Sequence, residues 1–217
     1  MNMEGLVNPF KKAGIVLLVI GIIDIGVMVY CIANRINYSS SFNIFAVIGG
    51  ALLIKGGVKT ARVVRWFSAF FVIAFIGMLF LSPITMPVQL LITQIKLNPA
   101  GTLGAHAFSL VFIGILIWVY KQLSTPIALA KLEQAGYKSG KPKTALYAAI
   151  GCTILGGVMF GFLLIGESAE KAKTLAKEQL GSNYQYHISS MQASGDKGSA
   201  VVTAFNEDEI QNIQVEW

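Results

Sequence analysis

The sequence predicts a membrane protein that is mainly α-helical, with five transmembrane helices followed by a small extracytoplasmic α+β domain. Three observations predict this class. Apolar residue types make up 54% of the 217 residues and charged types only 13%, which is too little charge for the surface of a soluble domain. Long apolar runs alternate with connections that are rich, then poor, in lysine and arginine. The residues after 166 are mostly polar, and much of this segment shows the two-residue alternation typical of β-strands.

The apolar runs define the spans. A helix needs about 20 apolar residues to cross the hydrocarbon core of a bilayer. Five segments meet or approach this length, namely residues 13–33, 42–58, 66–82, 104–120 and 145–166. The second and third are short, so we expect tilt or local thinning of the bilayer. The first is too long for the apolar core of a secretory signal and precedes no small-residue cleavage site, which indicates an uncleaved anchor.

The basic residues predict the orientation. Alternate connections carry the cations, which are Lys11 and Lys12, then Lys55, Lys59, Arg62 and Arg65, then Lys121, Lys131, Lys138, Lys141 and Lys143. The intervening connections hold only Arg35 and Lys96. Because basic loops stay in the cytoplasm, the N-terminus is predicted to be cytoplasmic and the C-terminus periplasmic, in a bacterial inner membrane. The net charge of +6 is thus assigned to contact with the lipid bilayer, and no nucleic-acid partner is expected.

Two connections are predicted to contain helices of their own. Proline and apolar residues spaced three or four apart in 87–96 predict a helix in the outer interface, with Gln89, Thr93 and Lys96 toward water. Ser124-Thr125-Pro126 is predicted to begin a short cytoplasmic helix that Gly136 ends.

Residues 1–166 form the predicted five-helix domain and residues 167–217 the extracytoplasmic one. The latter has four lysines against eight carboxylates, a net charge of −4, whereas the remainder carries +10. An Ala, Lys and Glu-rich stretch from Ser168 to Leu180 predicts a helix. Alternating residues near 184–189, 200–205 and 210–217 predict three strands. We expect the helix to pack on a three-stranded antiparallel meander.

Asp24 is the main intramembrane polar candidate. It lies about 12 residues past Lys12, which is roughly 18 Å into the membrane at the helical rise. An ionisable residue at that depth is costly and is either satisfied by neighbouring helices or used in transport. Lys55, near the cytoplasmic end of the second span, is the candidate ion-pair partner. A structural role for Asp24 is favoured over ion translocation.

A stripe of small residues is predicted to be a helix-packing surface. Ala149, Thr153, Gly157 and Gly161 recur every fourth residue and therefore share one face of the fifth span. Small side chains let helix backbones approach closely. Packing within the chain is favoured over dimerisation, and both stay open.

The function predicted from these patterns is non-enzymatic. Cys31, Cys152, His106 and His187 form no metal-binding pattern, and no catalytic set has a recognised spacing, so no catalytic, cofactor or metal site is expected. The interpretation is a membrane protein that displays its periplasmic domain for partner binding or assembly of an envelope complex. The partner is a membrane or envelope protein or a second copy, and the candidate contact residues are Tyr184, Tyr186, His187, Glu207 and Asp208. The alternative is a small proton-coupled transporter or channel that uses Asp24.

Overall fold

The computed structural model describes residues 8–35, 42–194 and 197–217. Its helices are α1 (Pro9–Ala33), α2 (Phe42–Ile54), α3 (Val58–Thr85), α4 (Val88–Leu97), α5 (Pro99–Gln122), α6 (Pro126–Gln134), α7 (Lys143–Leu164) and α8 (Glu167–Leu180). Its strands are β1 (Gln185–Ser194), β2 (Lys197–Phe205) and β3 (Ile210–Glu216). The chain divides into two compact units, Met1–Ile73 with Phe112–Ala148 and Ala74–Val111 with Ala149–Trp217.

Four helices in the described part of the chain are long and apolar enough to cross a membrane. They are Pro9–Ala33, Val58–Ser82, Pro99–Gln122 and Lys143–Phe162. The second of the five predicted spans is shorter, because α2 has 13 residues and is therefore about 20 Å long. The prediction of five membrane-length helices is thus met for four of them.

The boundary between the second and third predicted spans is wrong. The prediction ended the second span at residue 58 and began the third at 66, whereas α2 ends at Ile54 and α3 begins at Val58. Gly56 has φ +82°, a left-handed conformation that glycine adopts readily, and the amides of Gly56 and Gly57 bond to the carbonyls of Leu53 and Leu52. This turn ends α2 and lets the basic stretch after it start α3 as helix.

In the first unit, α1 and α2 pack backbone to backbone. A Cβ on Gly14 would lie 2.7 Å from the carbonyl oxygen of Gly50, and a Cβ on Gly21 would lie 2.9 Å from the amide nitrogen of Val47. Only glycine allows this approach at these two positions. Because Gly14 near the start of α1 also touches Ile54 at the end of α2, the two helices run antiparallel.

The core of the first unit joins α1 and α2 to α3, α5 and α6. Its buried side chains are Phe10, Ala13, Leu17, Ala46, Leu53, Ala61, Val64, Val119, Leu123 and Ala128. Helix α6 begins as predicted, with the Thr125 hydroxyl accepting from the amide of Ala128, and the left-handed Gly136 follows its end. Sequence-local capping therefore determines α6, whereas long-range packing buries it.

In the second unit, α8 packs on a three-stranded antiparallel sheet in the order β1-β2-β3, as predicted. Buried residues of α8 and the sheet form one core, made of Ala169, Ala172, Ala176, Ile188, Ala200, Val202 and Val215. The register pairs His187 with Thr203 and Thr203 with Asn212, and it shifts between Ile188 and Ser190 at a β-bulge. In β2, Ala200 and Val202 belong to the core shared with α8.

Helix α4 lies within one residue of its predicted bounds, and of the three residues predicted to face water, Gln89 and Lys96 are exposed but Thr93 is buried. Leu90 and Thr93 are buried, whereas Val88 and Ile92 are exposed. The Thr93 hydroxyl donates to the backbone oxygen of Asn206 at 2.9 Å, so the polar side of α4 holds the β2–β3 turn. Its exposed apolar side is the side that the sequence assigned to lipid.

Candidate functional site

Strand β1 is one edge of the sheet and contains two of the five predicted partner-binding residues, Tyr186 and His187. It has ten residues, QYHISSMQAS, none of them charged and none proline. Within the part of the chain that the structure describes, β1 pairs only with β2. Its outer edge therefore presents backbone N–H and C=O groups that no other described strand uses.

Tyr184 lies just before β1 and Tyr186 is its second residue, and both hydroxyls bond within the domain. The Tyr184 hydroxyl donates to the Glu209 carboxylate and accepts from Gln211 Nε2 at 3.4 Å. The Tyr186 hydroxyl donates to the backbone oxygen of Gly181, just after α8. The bond to Glu209 raises the pKa of Tyr184 above 10.0, and burial raises the pKa of Tyr186. Both rings are thus neutral near pH 7 and tie β1 to its neighbours.

His187 follows on the same strand and is half-buried. Burial lowers its pKa below 6.5, and the positive charge of Lys173 on α8 lowers it further. The imidazole is therefore mostly neutral at pH 7. Together with the two tyrosines, it makes the start of β1 uncharged, on a strand whose outer edge pairs with no other described strand.

Glu207 and Asp208 lie in the β2–β3 turn, where they contact α4. Lys96 donates to the Glu207 backbone oxygen at 3.0 Å and forms an ion pair with Asp208 at 3.1 Å. We call these contacts and the Thr93–Asn206 bond the clasp. Asn206 also accepts, through its side-chain oxygen, from the amides of Asp208 and Glu209, which shapes the turn that the clasp holds. Asp208 is therefore already engaged within the chain.

A cavity of about 590 Å³ lies beside the clasp in the same unit. Its lining includes Gln94 on α4, Thr102 and His106 on α5, and Ile210 on β3. His106 Nδ1 lies 2.8 Å from the backbone oxygen of Thr102, one helical turn earlier. This histidine is thus occupied by a local hydrogen bond of its own helix.

The structure does not bring Asp24 and Lys55 together. Lys55 is exposed in the turn after α2, not inside a span. Ile54 lies against Gly14, and Asp24 is ten residues further along α1, which is about 15 Å at the helical rise. Asp24 itself is half-buried.

The small-residue stripe of α7 meets α3 in its middle. A Cβ on Gly77 of α3 would lie 2.7 Å from the Thr153 side chain, and a Cβ on Gly157 would lie 3.3 Å from Leu81. The C-terminal end of the stripe differs, since a Cβ on Gly161 would meet nothing within 4 Å. The close approach within the chain therefore uses Thr153 and Gly157.

Sequence reasoning missed the polar centre of the first unit, which is Arg65. Its side chain is only 6% exposed, with Nε donating to the Ser124 hydroxyl at 2.9 Å and Nη1 to the Ser139 backbone oxygen at 3.0 Å. The guanidinium also lies 5.6 Å from the ring centre of Tyr120. The available signal was the spacing of Arg62 and Arg65 three residues apart, which puts both on one face of a helix.

Neighbouring contacts surround this centre. Arg62 lies over the Tyr137 ring at 5.0 Å, and Trp66 Nε1 donates to the Thr144 hydroxyl at 2.8 Å. Lys131 of α6 lies 5.5 Å from the ring of Phe10 in α1. These contacts gather the basic stretches near α1, α3, α6 and the start of α7 within one unit.

Comparisons with protein-family models, with curated proteins and with solved structures gave no match to this chain.

Proposed function

We propose that this chain is a non-enzymatic membrane protein that displays a small extracytoplasmic domain to a membrane or envelope protein partner. The observation that carries the proposal is β1, a ten-residue edge strand without charge or proline. Edge strands are usually protected by charges, prolines or short length, because an open edge pairs with other chains. The partner adds an extended segment along β1, and backbone hydrogen bonds supply much of the affinity.

The membrane arrangement in this proposal has five crossings, with α2 the short one, in a bacterial inner membrane. The antiparallel contact of Ile54 with Gly14 supports it, because the chain returns to the side where α1 begins. The contact of Lys131 with Phe10 supports a common side for the basic stretches. The positive-inside rule makes that side cytoplasmic and the sheet extracytoplasmic.

The clasp supports display of the sheet in a defined pose. It joins α4 to the β2–β3 turn through Thr93, Lys96 and Asp208, and it uses no backbone group of β1. A domain of about 50 residues has a small core and is marginal alone, so attachment to a membrane-adjacent helix stabilises it. Attachment through the turn leaves β1 available.

Site-specific photo-crosslinking in native membranes tests the proposal. A benzoylphenylalanine probe at Ser190 of β1 is expected to give a discrete adduct to one protein, whereas a probe at Gln214 of β3 is not. A lysine on an edge strand opposes strand addition. We therefore expect Gln192→Lys to lower the adduct yield from Ser190 about tenfold, while the matched change Gln214→Lys on the other edge leaves it unchanged.

Equal loss with Gln192→Lys and Gln214→Lys would contradict recognition along β1. Deletion of residues 168–217 is expected to abolish the adduct while the helices still insert. The transport hypothesis predicts the reverse pattern, in which Asp24→Asn stops proton flux in proteoliposomes and the deletion is tolerated.

A further inference from the structure

A second cavity lies in the first unit, between α3, α5 and the start of α7. Its volume is about 580 Å³, within the range typical of small-molecule sites. Apolar side chains from all three helices form its wall, including Val72, Ile73, Ile117 and Leu146. The cavity is therefore suited to a hydrocarbon chain.

The charged residues of the cavity lining are all basic. Lys121 at the end of α5, Lys141 in the linker and Lys143 at the start of α7 all line it. Tyr120 also lines it, and the buried guanidinium of Arg65 lies 5.6 Å from that ring. Among the described residues, those that line the cavity include no carboxylate. A ligand here meets apolar walls and a concentrated positive charge.

We propose that this cavity binds one anionic phospholipid. Its phosphate lies among Lys121, Lys141 and Lys143, and one acyl chain lies along Val72, Ile73 and Ile117. Basic pockets between membrane helices on the cytoplasmic side attract anionic headgroups, because each nearby lysine adds to the attraction. The proposal uses the membrane insertion described above but neither β1 nor a protein partner, so the two proposals fail separately.

Native mass spectrometry of the full chain in detergent tests it. We expect the chain to retain one phosphatidylglycerol at a concentration about tenfold lower than phosphatidylcholine with the same acyl chains. The combined variant Lys121→Gln, Lys141→Gln and Lys143→Gln is expected to reduce that preference to about twofold or less. The matched variant Lys55→Gln, Lys59→Gln and Lys138→Gln removes the same charge from exposed positions outside the lining, and it should keep the preference.

A further variant separates a whole lipid from a phosphate group alone. Ala69 lines the apolar part of the cavity, and Ala69→Phe fills it while leaving the lysines unchanged. We expect this change to weaken phosphatidylglycerol binding about tenfold, with glycerol phosphate unable to displace the lipid. Unchanged binding in Ala69→Phe, displacement by glycerol phosphate, or equal loss in the two lysine triples would each overturn the proposal. Circular dichroism and melting curves confirm that each variant is folded.

Discussion

Arg65 and Lys96 each join segments that are far apart in the sequence, but they do so in opposite surroundings. Arg65 is buried and donates to a hydroxyl and a backbone oxygen in the first unit. Lys96 and its partner Asp208 have side chains that are 58% and 87% exposed in the second unit. A buried cation that loses its acceptors pays a large desolvation cost, whereas water replaces an exposed ion pair. The first unit is therefore expected to depend on single polar contacts far more than the clasp does.

The largest effect is expected from Arg65→Gln, because it leaves the acceptors on Ser124 and Ser139 unmatched. We expect a loss of about 2–4 kcal/mol in the free energy of unfolding. Arg65→Lys should retain less than half of the stability that Arg65→Gln loses, because one ammonium group cannot reproduce the planar set of N–H donors of a guanidinium. An SDS titration in mixed micelles measures the loss. Lys59→Gln, an exposed change on the same helix, should stay within about 0.5 kcal/mol of the original.

The next effect concerns Gly50, where backbone leaves no room for a side chain. Its Cβ would lie 2.7 Å from both the Gly14 oxygen and the Leu18 nitrogen. We expect Gly50→Ala to cost about 1–3 kcal/mol, although alanine has the higher helix propensity. The same titration measures it. Gly26→Ala is the control, because a Cβ there meets nothing within 4 Å.

Gly77 provides the counterpart in the second unit. The three atoms nearest to a Cβ there all belong to the Thr153 side chain, whereas those nearest to a Cβ on Gly50 are backbone atoms, so Gly77→Ala should cost about 1 kcal/mol, less than Gly50→Ala. A larger loss for Gly77→Ala than for Gly50→Ala would contradict the contrast between the two units.

The clasp is expected to respond weakly to loss of its ion pair. Lys96→Gln or Asp208→Asn should cost about 0.2–1 kcal/mol, and moderate salt should remove most of the difference. Thr93→Val should cost about 1 kcal/mol, because the backbone oxygen of the half-buried Asn206 loses its donor. A Lys96–Asp208 double-mutant cycle at low and high salt measures the energy of the ion pair, and the free energy of unfolding of Thr93→Val measures the loss of the hydrogen bond. If the ion pair contributed more free energy than the Thr93 hydrogen bond, the contrast between buried and exposed polar contacts would be wrong.

Local chemistry made much of this fold predictable. The Thr125 N-cap and Gly136 mark the two ends of α6, and alanines three or four residues apart indicate the buried side of α8. The alternation of apolar and polar residues predicts the strands of the meander. The start of α3 was missed because Lys59, Arg62 and Arg65 resemble a charged loop when only hydropathy is considered. Hydropathy cannot separate a polar helical turn from a connection, since both avoid the hydrocarbon core.

Long-range contacts were the part that the sequence could not supply. Nothing local to Thr93 indicates that its hydroxyl meets Asn206, 113 residues later, so its side of α4 was assigned to water. Arg65 was counted only as a loop cation, although Ser124 and Ser139 surround it. The candidate residues of β1 were chosen because aromatic residues in an alternating pattern are a local signal, whereas their internal hydrogen bonds have no such signal.

The smallest expected effect comes from His187, which is neither buried like Arg65 nor exposed like Lys96. Its folded pKa lies below the unfolded value of 6.5, so the unfolded chain takes up the proton first as the pH falls. The stability contributed by the neutral imidazole is complete above pH 6.5 and is lost as the pH falls through the folded pKa. SDS titrations between about pH 7.5 and pH 5 should therefore show a decline that His187→Gln reduces.

The pKa of His187 can also be read directly from an NMR titration of its imidazole resonances. Lys173→Gln removes a nearby positive charge and should move the pKa of His187 up toward 6.5. Lys177→Gln, an exposed change one turn further along α8, should leave it unchanged. Because burial is the larger cause of the lowered pKa, Lys173→Gln should restore only part of the difference. Full restoration of the His187 pKa to 6.5 by Lys173→Gln would mean that the charge of Lys173, not burial, is the main cause of the lowered pKa. His187 would then depend on surface charge, as the exposed ion pair of the clasp does.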